Sequence, residues 1–231
     1  MIRSLYIAAI YLWLGFAIGY FFRKWLEGRL LPRFRSAGPG GGAAAAQPVE
    51  MVDWIDDQGR TIESVPRAEI RGRNLLHRVT ATFVFHPDGR LYVQQRTLTK
   101  DVYPGLFDMC VGGTVVSGES FELNSCREIS EELGIRGVPV YALFDHHFAD
   151  ERTNSAIRVF ACVYDGPITF QPEEVADGFW AERSKVDELI VTGRMCPDSS
   201  QGWRLYVQRF GLRNFARDVA PELTPIRCEG P

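Results

Sequence analysis

Glu128, Glu131 and Glu132 stand at i, i+3 and i+4 in "REISEELGI", directly after Arg127. On a helix of 3.6 residues per turn that spacing gathers three carboxylates on one patch. Like charges so close destabilise a bare helix, and a cation turns the repulsion into binding. Carboxylate oxygens are hard ligands that suit Mg²⁺ or Mn²⁺, ions that keep coordination positions for phosphate oxygens and water. Attack of water on a phosphate is the chemistry such a cluster can support. An acidic triplet taken alone also describes a solvated helix face, so its surroundings decide between the two.

The element that must hold these carboxylates is a helix over Glu119 to Leu133, a stretch without proline or glycine. Phe121, Cys126, Ile129 and Leu133 recur on it at helical spacing, so one face packs on a sheet and the carboxylates lie opposite. Gly134 accepts the left-handed conformation that ends a helix. Upstream, the β-rich runs Val79–Phe85 and Leu91–Gln95 flank the turn "HPDGR" and predict a hairpin. Val140–Phe148 and Ala156–Asp165 flank "ADERTNS" in the same way. Two further helices are expected, one near Ser184–Ile190 and one from Asp198 or Ser199, where Trp203, Tyr206, Phe210 and Phe215 form a stripe. Strands of this kind with helices on both faces make an α/β sandwich with a mixed sheet.

The amino end follows different rules. Ser4 to Phe22 holds 19 uncharged residues, which at helical rise span about 28 Å, close to the hydrocarbon thickness of a bilayer. A transmembrane helix is expected at 4–22, with an Arg-rich targeting segment for mitochondrion or plastid as the rival. Arg23, Lys24, Arg29, Arg33 and Arg35 follow it, so the positive-inside rule puts the rest of the chain in the cytosol or an equivalent compartment. Gly15 and Gly19 form a GxxxG pair that would let two such helices meet in a homodimer. Ser36–Val49, rich in glycine and alanine, reads as a flexible tether. The expected domains are an anchor with basic flank at 1–35, a linker at 36–49 and a globular domain at 50–231.

The net charge of −3 gives no basic surface for nucleic acid. Five widely spaced cysteines without a CxxC pair suggest neither zinc nor a disulfide framework, and read as reduced thiols in a reducing compartment.

With its neighbours, the acidic triplet completes a longer pattern: Gly113, five residues, Glu119, seven residues, then Arg127, Glu128, Ile129, Glu131, Glu132, Gly134 and Ile135. At ordinary residue frequencies this arises by chance on the order of once in 10⁸. It resembles the box of the Nudix hydrolases, GX5EX7REUXEEXGU with U aliphatic, at every specified position. The resemblance implies a Nudix α/β/α sandwich that hydrolyses a nucleoside or other organic diphosphate. It further implies Mg²⁺ or Mn²⁺ held by Glu128, Glu131, Glu132 and the Gly112 carbonyl. Glu119 and Arg127 would brace the loop and helix, and one of the box glutamates, such as Glu131, would accept a proton from water.

The segments "LLHRVTATFVF" and "QQRTLTKDVYPGLFDMCVGG" are similar to a Nudix subgroup that includes isopentenyl diphosphate isomerases. In that subgroup Arg96 and Lys100 would contact phosphate, and His77 matches a metal-binding histidine. Gly112, however, falls where the isomerases carry their catalytic cysteine; Cys110 lies two residues earlier and reads as a buried strand residue. All box carboxylates are also kept, so hydrolysis is the expectation, with isomerase-like chemistry or an idle ligand-binding Nudix domain as the alternatives. In "FQPEEVADGFW", Glu174, or else Glu173, is the candidate for a further ligand or base, and Trp180 is expected in the core.

Overall fold

The computed structural model describes residues 49–228. The expected membrane helix with its Gly15–Gly19 pair, the basic flank and nearly all of the tether lie outside these residues. No helix among the described residues is long and apolar enough to cross a membrane.

The chain opens with a hairpin of β1 (Met51–Ile55) and β2 (Thr61–Pro66), then a short helix α1 (Arg67–Arg73). Next come β3 (His77–Phe85), β4 (Leu91–Arg96), two short strands β5 (Phe107–Asp108) and β6 (Cys110–Val111), and the helix α2 (Phe121–Leu133). The long strands β7 (Pro139–Ala149) and β8 (Asn154–Val163) follow, then β9 (Val175–Ala181), helices α3 (Arg183–Val191) and α4 (Pro197–Phe210), a π-helical turn at Phe215–Val219 and a final strand β10 (Ile226–Arg227).

The main sheet runs β10-β7-β8-β3-β1-β2. It is mixed, because β3 lies parallel to β8 from His77↔Ser155 to Phe85↔Val163, whereas β7 and β8 form the expected antiparallel hairpin. The first expected hairpin opens after one pair, Phe85↔Leu91. On that edge Thr82 and Phe83 pair with Val111 and Cys110 of β6, so β4 is displaced and finds its ladder along β9, from Leu91↔Ala181 to Arg96↔Val175. That β9 is a strand, and that β1, β2 and α1 precede the core, had no strong local pattern in the sequence; β2 is largely solvent-exposed.

Alternation along the strands divides the core into two layers. Phe83, Phe85 and Val159 face α3 and α4, packing with Leu189, Trp203 and Tyr206. Val84 and Phe160 face the other way, onto Ile129 and Leu133 of α2, with Trp180 against the same cluster. This is the expected α/β/α sandwich. The aromatic stripe is shorter than expected: α4 ends at Phe210, and Phe215 sits in the separate π-helical turn, stacked on Phe85 at 4.8 Å.

The expectation of five isolated thiols is overturned at two of them. Cys126 on α2 and Cys228 beyond β10 form a disulfide, with Cα atoms 5.5 Å apart. They are 102 residues apart in the chain, so only the fold, which lays β10 beside β7 near the back of α2, reveals the pair. Cys110, Cys162 and Cys196 are free and buried.

Candidate active site

Antiparallel pairing of β6 with β3 delivers the Gly112–Gly113 loop to the start of α2. Close approach forces glycine at 112, where a Cβ would stand 2.1 Å from the Thr80 carbonyl oxygen, while a Cβ at 113 would stand 2.7 Å from Glu128 Oε1 and push that carboxylate aside. The first contact explains why no thiol side chain is accommodated at 112. Ser120 caps α2 by accepting the Leu123 N–H at 3.2 Å, so the helix starts two residues later than expected and Glu119 remains in the loop. At the other end Gly134 closes it at φ 69°, as its position suggested.

Glu119 is placed to brace. Its carboxylate accepts from Arg127 Nε at 3.0 Å, Arg127 Nη2 at 3.2 Å, Asn124 Nδ2 at 2.8 Å and the Val116 N–H at 3.3 Å. Burial by itself would raise the Glu119 carboxyl, but the bonds from Arg127 and Asn124 outweigh it and hold the group below its ordinary value. Arg127 reaches Glu128 at 3.0 Å and Glu131 at 2.9 Å as well, so one guanidinium touches three carboxylates. Under the helix, Thr80 donates to Asn124 at 2.5 Å and the Thr82 and Ser125 hydroxyls meet at 2.8 Å, fixing the roll of α2 on β3.

The three helix carboxylates do not share one environment. Glu128 and Glu132 turn inward, with side chains 13% and 5% exposed, while Glu131 is 53% exposed and salt-bridged to Arg127. Glu132 therefore sits beside the apolar face rather than opposite it. Burial pushes the Glu128 carboxyl up to about 7 against the pull of Arg127, and raises Glu132 as well. Among the described residues no group of three or more acidic, histidine or cysteine side chains stands close enough together to hold an ion. Glu132 instead accepts from Gln94 Nε2 at 3.0 Å and has Lys100 Nζ at 3.9 Å, and that ammonium also contacts the Glu174 carboxylate. The loop carrying Lys100 is tied to the Glu174 segment by Thr97, whose N–H and hydroxyl donate to the Glu174 and Glu173 carbonyls. Glu173 thus contributes main chain here. Glu128 and Glu132 offer carboxylate oxygens, the donor type a hard divalent ion takes.

A cavity of about 90 Å³ adjoins Gly112 and Gly113, bounded by β3, β8, α1 and the start of α4. Arg96, expected as a phosphate contact, ends β4 and is partly buried in the cavity wall, donating to the Val102 carbonyl at 3.0 Å and to Asp108 at 3.3 Å. Cys110 lines the wall too, and burial pushes its thiol well above the ordinary value, so it is no thiolate. His77 is 1% exposed and bonds the Leu75 carbonyl through Nδ1 at 2.8 Å; burial lowers it to about 4, and it serves the interior as a neutral ring.

Three cavity residues carried no signal in the sequence. Tyr103 holds φ 51°, an outlying conformation for a bulky side chain, with its hydroxyl 2.5 Å from Asp150. Asp198, in the first turn of α4, has its carboxyl raised by burial and by the Asp108 charge. Arg71 comes from the last turn of α1. Tyr103 lies in a segment quoted for the subgroup resemblance and Asp198 at an expected helix start, but no pattern marks any of the three as a site residue, and only the fold brings them to one cavity.

The profile of the NUDIX domain matches residues 75–196. Over 164 residues the chain is 40% identical to "Uncharacterized Nudix hydrolase PA4841" of Pseudomonas aeruginosa, covering 71% of this chain and 96% of that protein. "Uncharacterized Nudix hydrolase YfcD" of Escherichia coli K12 is 32% identical over 160 residues, covering 69% and 88%. Among solved structures, DR0079 from Deinococcus radiodurans superposes with a TM-score of 0.58 at 24% identity, over 68% of this chain and 99% of that one, and so shares the fold. The intact box on its loop and helix and these relatives have one meaning: the chain belongs to the Nudix hydrolase family and is an enzyme of the phosphoric anhydride bond.

Proposed function

We propose that the protein hydrolyses an organic diphosphate with Mg²⁺ or Mn²⁺ and is tethered to a membrane by residues 4–22. The observation that carries the reaction is the inward pair Glu128 and Glu132, with Glu128 against Gly113 of the loop that lines a cavity with arginines in its wall. Glu128, Glu132 and the Gly112 carbonyl would hold the ion, with Glu131 and Glu174 within the same acidic neighbourhood. When bound, the ion supplies charge neutralisation at the phosphate oxygens and a lowered pKa for water.

The protein's own groups do the rest. Arg127, held by Glu119, sets the angle of α2 and keeps Glu128 aimed at the loop. Lys100, whose ammonium lies between Glu132 and Glu174, is the group to meet a phosphate oxygen once these carboxylates turn to the ion. Arg96 keeps the adjoining wall in place through Asp108 and the Val102 carbonyl. One of the box glutamates accepts the proton of the attacking water. Glu132→Gln is expected to lower phosphate release from a panel of nucleotide, sugar, coenzyme A and isoprenoid diphosphates by about a thousandfold, on the scale of removing a key electrostatic group. Wild-type protein that releases nothing from the whole panel with either ion overturns the proposal and leaves a ligand-binding Nudix domain.

The basic flank supports a cytosolic location for the domain, and the GxxxG pair supports dimerisation through the anchor. In the cytosol glutathione would hold Cys126 and Cys228 as thiols, so their disulfide counts against this side. Their state in cells, read by alkylation and mass, therefore tests the side of the membrane, and carbonate extraction of the full chain tests the anchor.

A further inference from the structure

The wall of the cavity beside Thr114 and Thr153 carries a positive charge that no carboxylate pairs with among the described residues. Arg71 is half-buried on α1, and α1 lies before the residues that the family profile matches. Its terminal nitrogens have long contacts only, 3.4 Å to the Thr153 hydroxyl and 3.3 Å to the Thr114 hydroxyl, and its Nε is buried without a partner.

The neighbouring arginines show how unusual this is. Arg67 pairs with Glu50, Arg73 with Glu69, Arg78 with Asp53 and Arg96 with Asp108, whereas no carboxylate pairs with Arg71 among the described residues. Glu50 and Asp101 act on it only at longer range. A desolvated cation without a counter-ion is costly, and a guanidinium presents a planar fork of donors matched to carboxylate or phosphate oxygens. The rest of the cavity supports a direction. Near Arg71 stand the neutral hydroxyls of Thr114 and Thr153. Asp108, whose carboxylate Arg96 engages, and Asp198, which lies within its field, repel an anion elsewhere in the cavity.

We propose that Arg71 is a specificity subsite for an anionic group, a phosphate or a carboxylate, carried by the substrate beyond its scissile diphosphate. This rests on the hydrolase reading above. The test is steady-state hydrolysis by the full-length protein with Mg²⁺ on matched pairs that differ by one anion: coenzyme A against dephospho-coenzyme A for phosphate, and UDP-glucuronate against UDP-glucose for carboxylate.

In at least one pair the wild type should favour the charged member by about tenfold in kcat/KM, the scale of one charge-assisted hydrogen bond. Arg71→Ala should shrink that preference to about twofold, mainly through KM, and Arg71→Lys should restore part of it. The pair that responds identifies the anion. The same preference in Arg71→Ala as in the wild type, or no preference in either pair, overturns the subsite. Calorimetry with the same two pairs in chelator separates this from the hydrolase reading, since it needs no turnover. A fivefold or greater binding preference for a charged member that is lost in a folded Arg71→Ala supports the subsite even if no pair is hydrolysed, and an equal preference in both proteins overturns it.

Discussion

Glu128 and Ile129 are adjacent in the chain, about 100° apart around α2, and belong to different faces of it. The back of the helix is held by apolar burial and a covalent bond: Ile129 and Leu133 are almost wholly buried against Val84 and Phe160, and Cys126 is joined to Cys228. The front is held by charges that do not balance: Glu128 and Glu132 are taken out of water, and Arg127 and Lys100 must serve several carboxylates each. A helix fixed only by its front would reorganise whenever that charge changed. Anchored from behind, it can keep carboxylates desolvated, at a cost in stability, in positions useful to chemistry.

The two faces should therefore fail differently. Glu132→Gln keeps volume and the Gln94 contact, so it is expected to lose about a thousandfold in activity while its thermal midpoint stays within a few degrees of wild type. Ile129→Ala removes a side chain that is 1% exposed and should cost about 3 to 4 kcal/mol by denaturant unfolding, with residual activity in whatever fraction remains folded. If the glutamine variant unfolds and the alanine variant merely loses activity, the division of labour across α2 is wrong.

The front of the helix was largely legible in the sequence, and the back only in part. Seven fixed identities name the loop, the brace and the inward carboxylates, because that chemistry demands particular side chains at fixed spacing on one element. The helical period of Phe121, Ile129 and Leu133 likewise marks the apolar face, since its signal is local. The outward turn of Glu131 was not legible, because i+3 and i+4 positions diverge enough for one to be buried and the other to meet solvent. Nor was the Cys126–Cys228 bond, or the arrival of Arg71, Tyr103 and Asp198 at one cavity. Those depend on contacts between residues far apart in the chain, which leave no period to read. The unexpected β4–β9 ladder has the same origin, since the better turn signal lay between β3 and β4 and competition for the β3 edge decided the pairing.

The covalent part of the back can be removed without touching the site. A disulfide is typically worth roughly 2 to 4 kcal/mol, so Cys228→Ser should lower stability by about that amount while activity is retained. Wild type treated with dithiothreitol should match it. A reduced wild type that remains as stable as the oxidised one would mean that β10 and the apolar contacts suffice to seat α2.

The smallest effect is the most specific to the front, and its sign can be worked out. An ordinary glutamate titrates near 4.5, and burial lifts Glu128 to about 7 in the folded chain. Between those values the native state binds more proton than the unfolded one, so this group's contribution to stability is full below about pH 4.5 and is lost as pH rises through 7. In chelator, Glu128→Gln removes that loss. The variant should therefore gain on the wild type between pH 5 and pH 8, by about 1 to 3 kcal/mol in denaturant unfolding. Glu119 works in the opposite direction, since its bonds to Arg127 and Asn124 depress it and its stabilisation vanishes on acidification. Parallel wild-type and Glu128→Gln curves across this range would show that Arg127 neutralises Glu128 more fully than burial isolates it, and the front would then be a balanced ion network rather than a strained one.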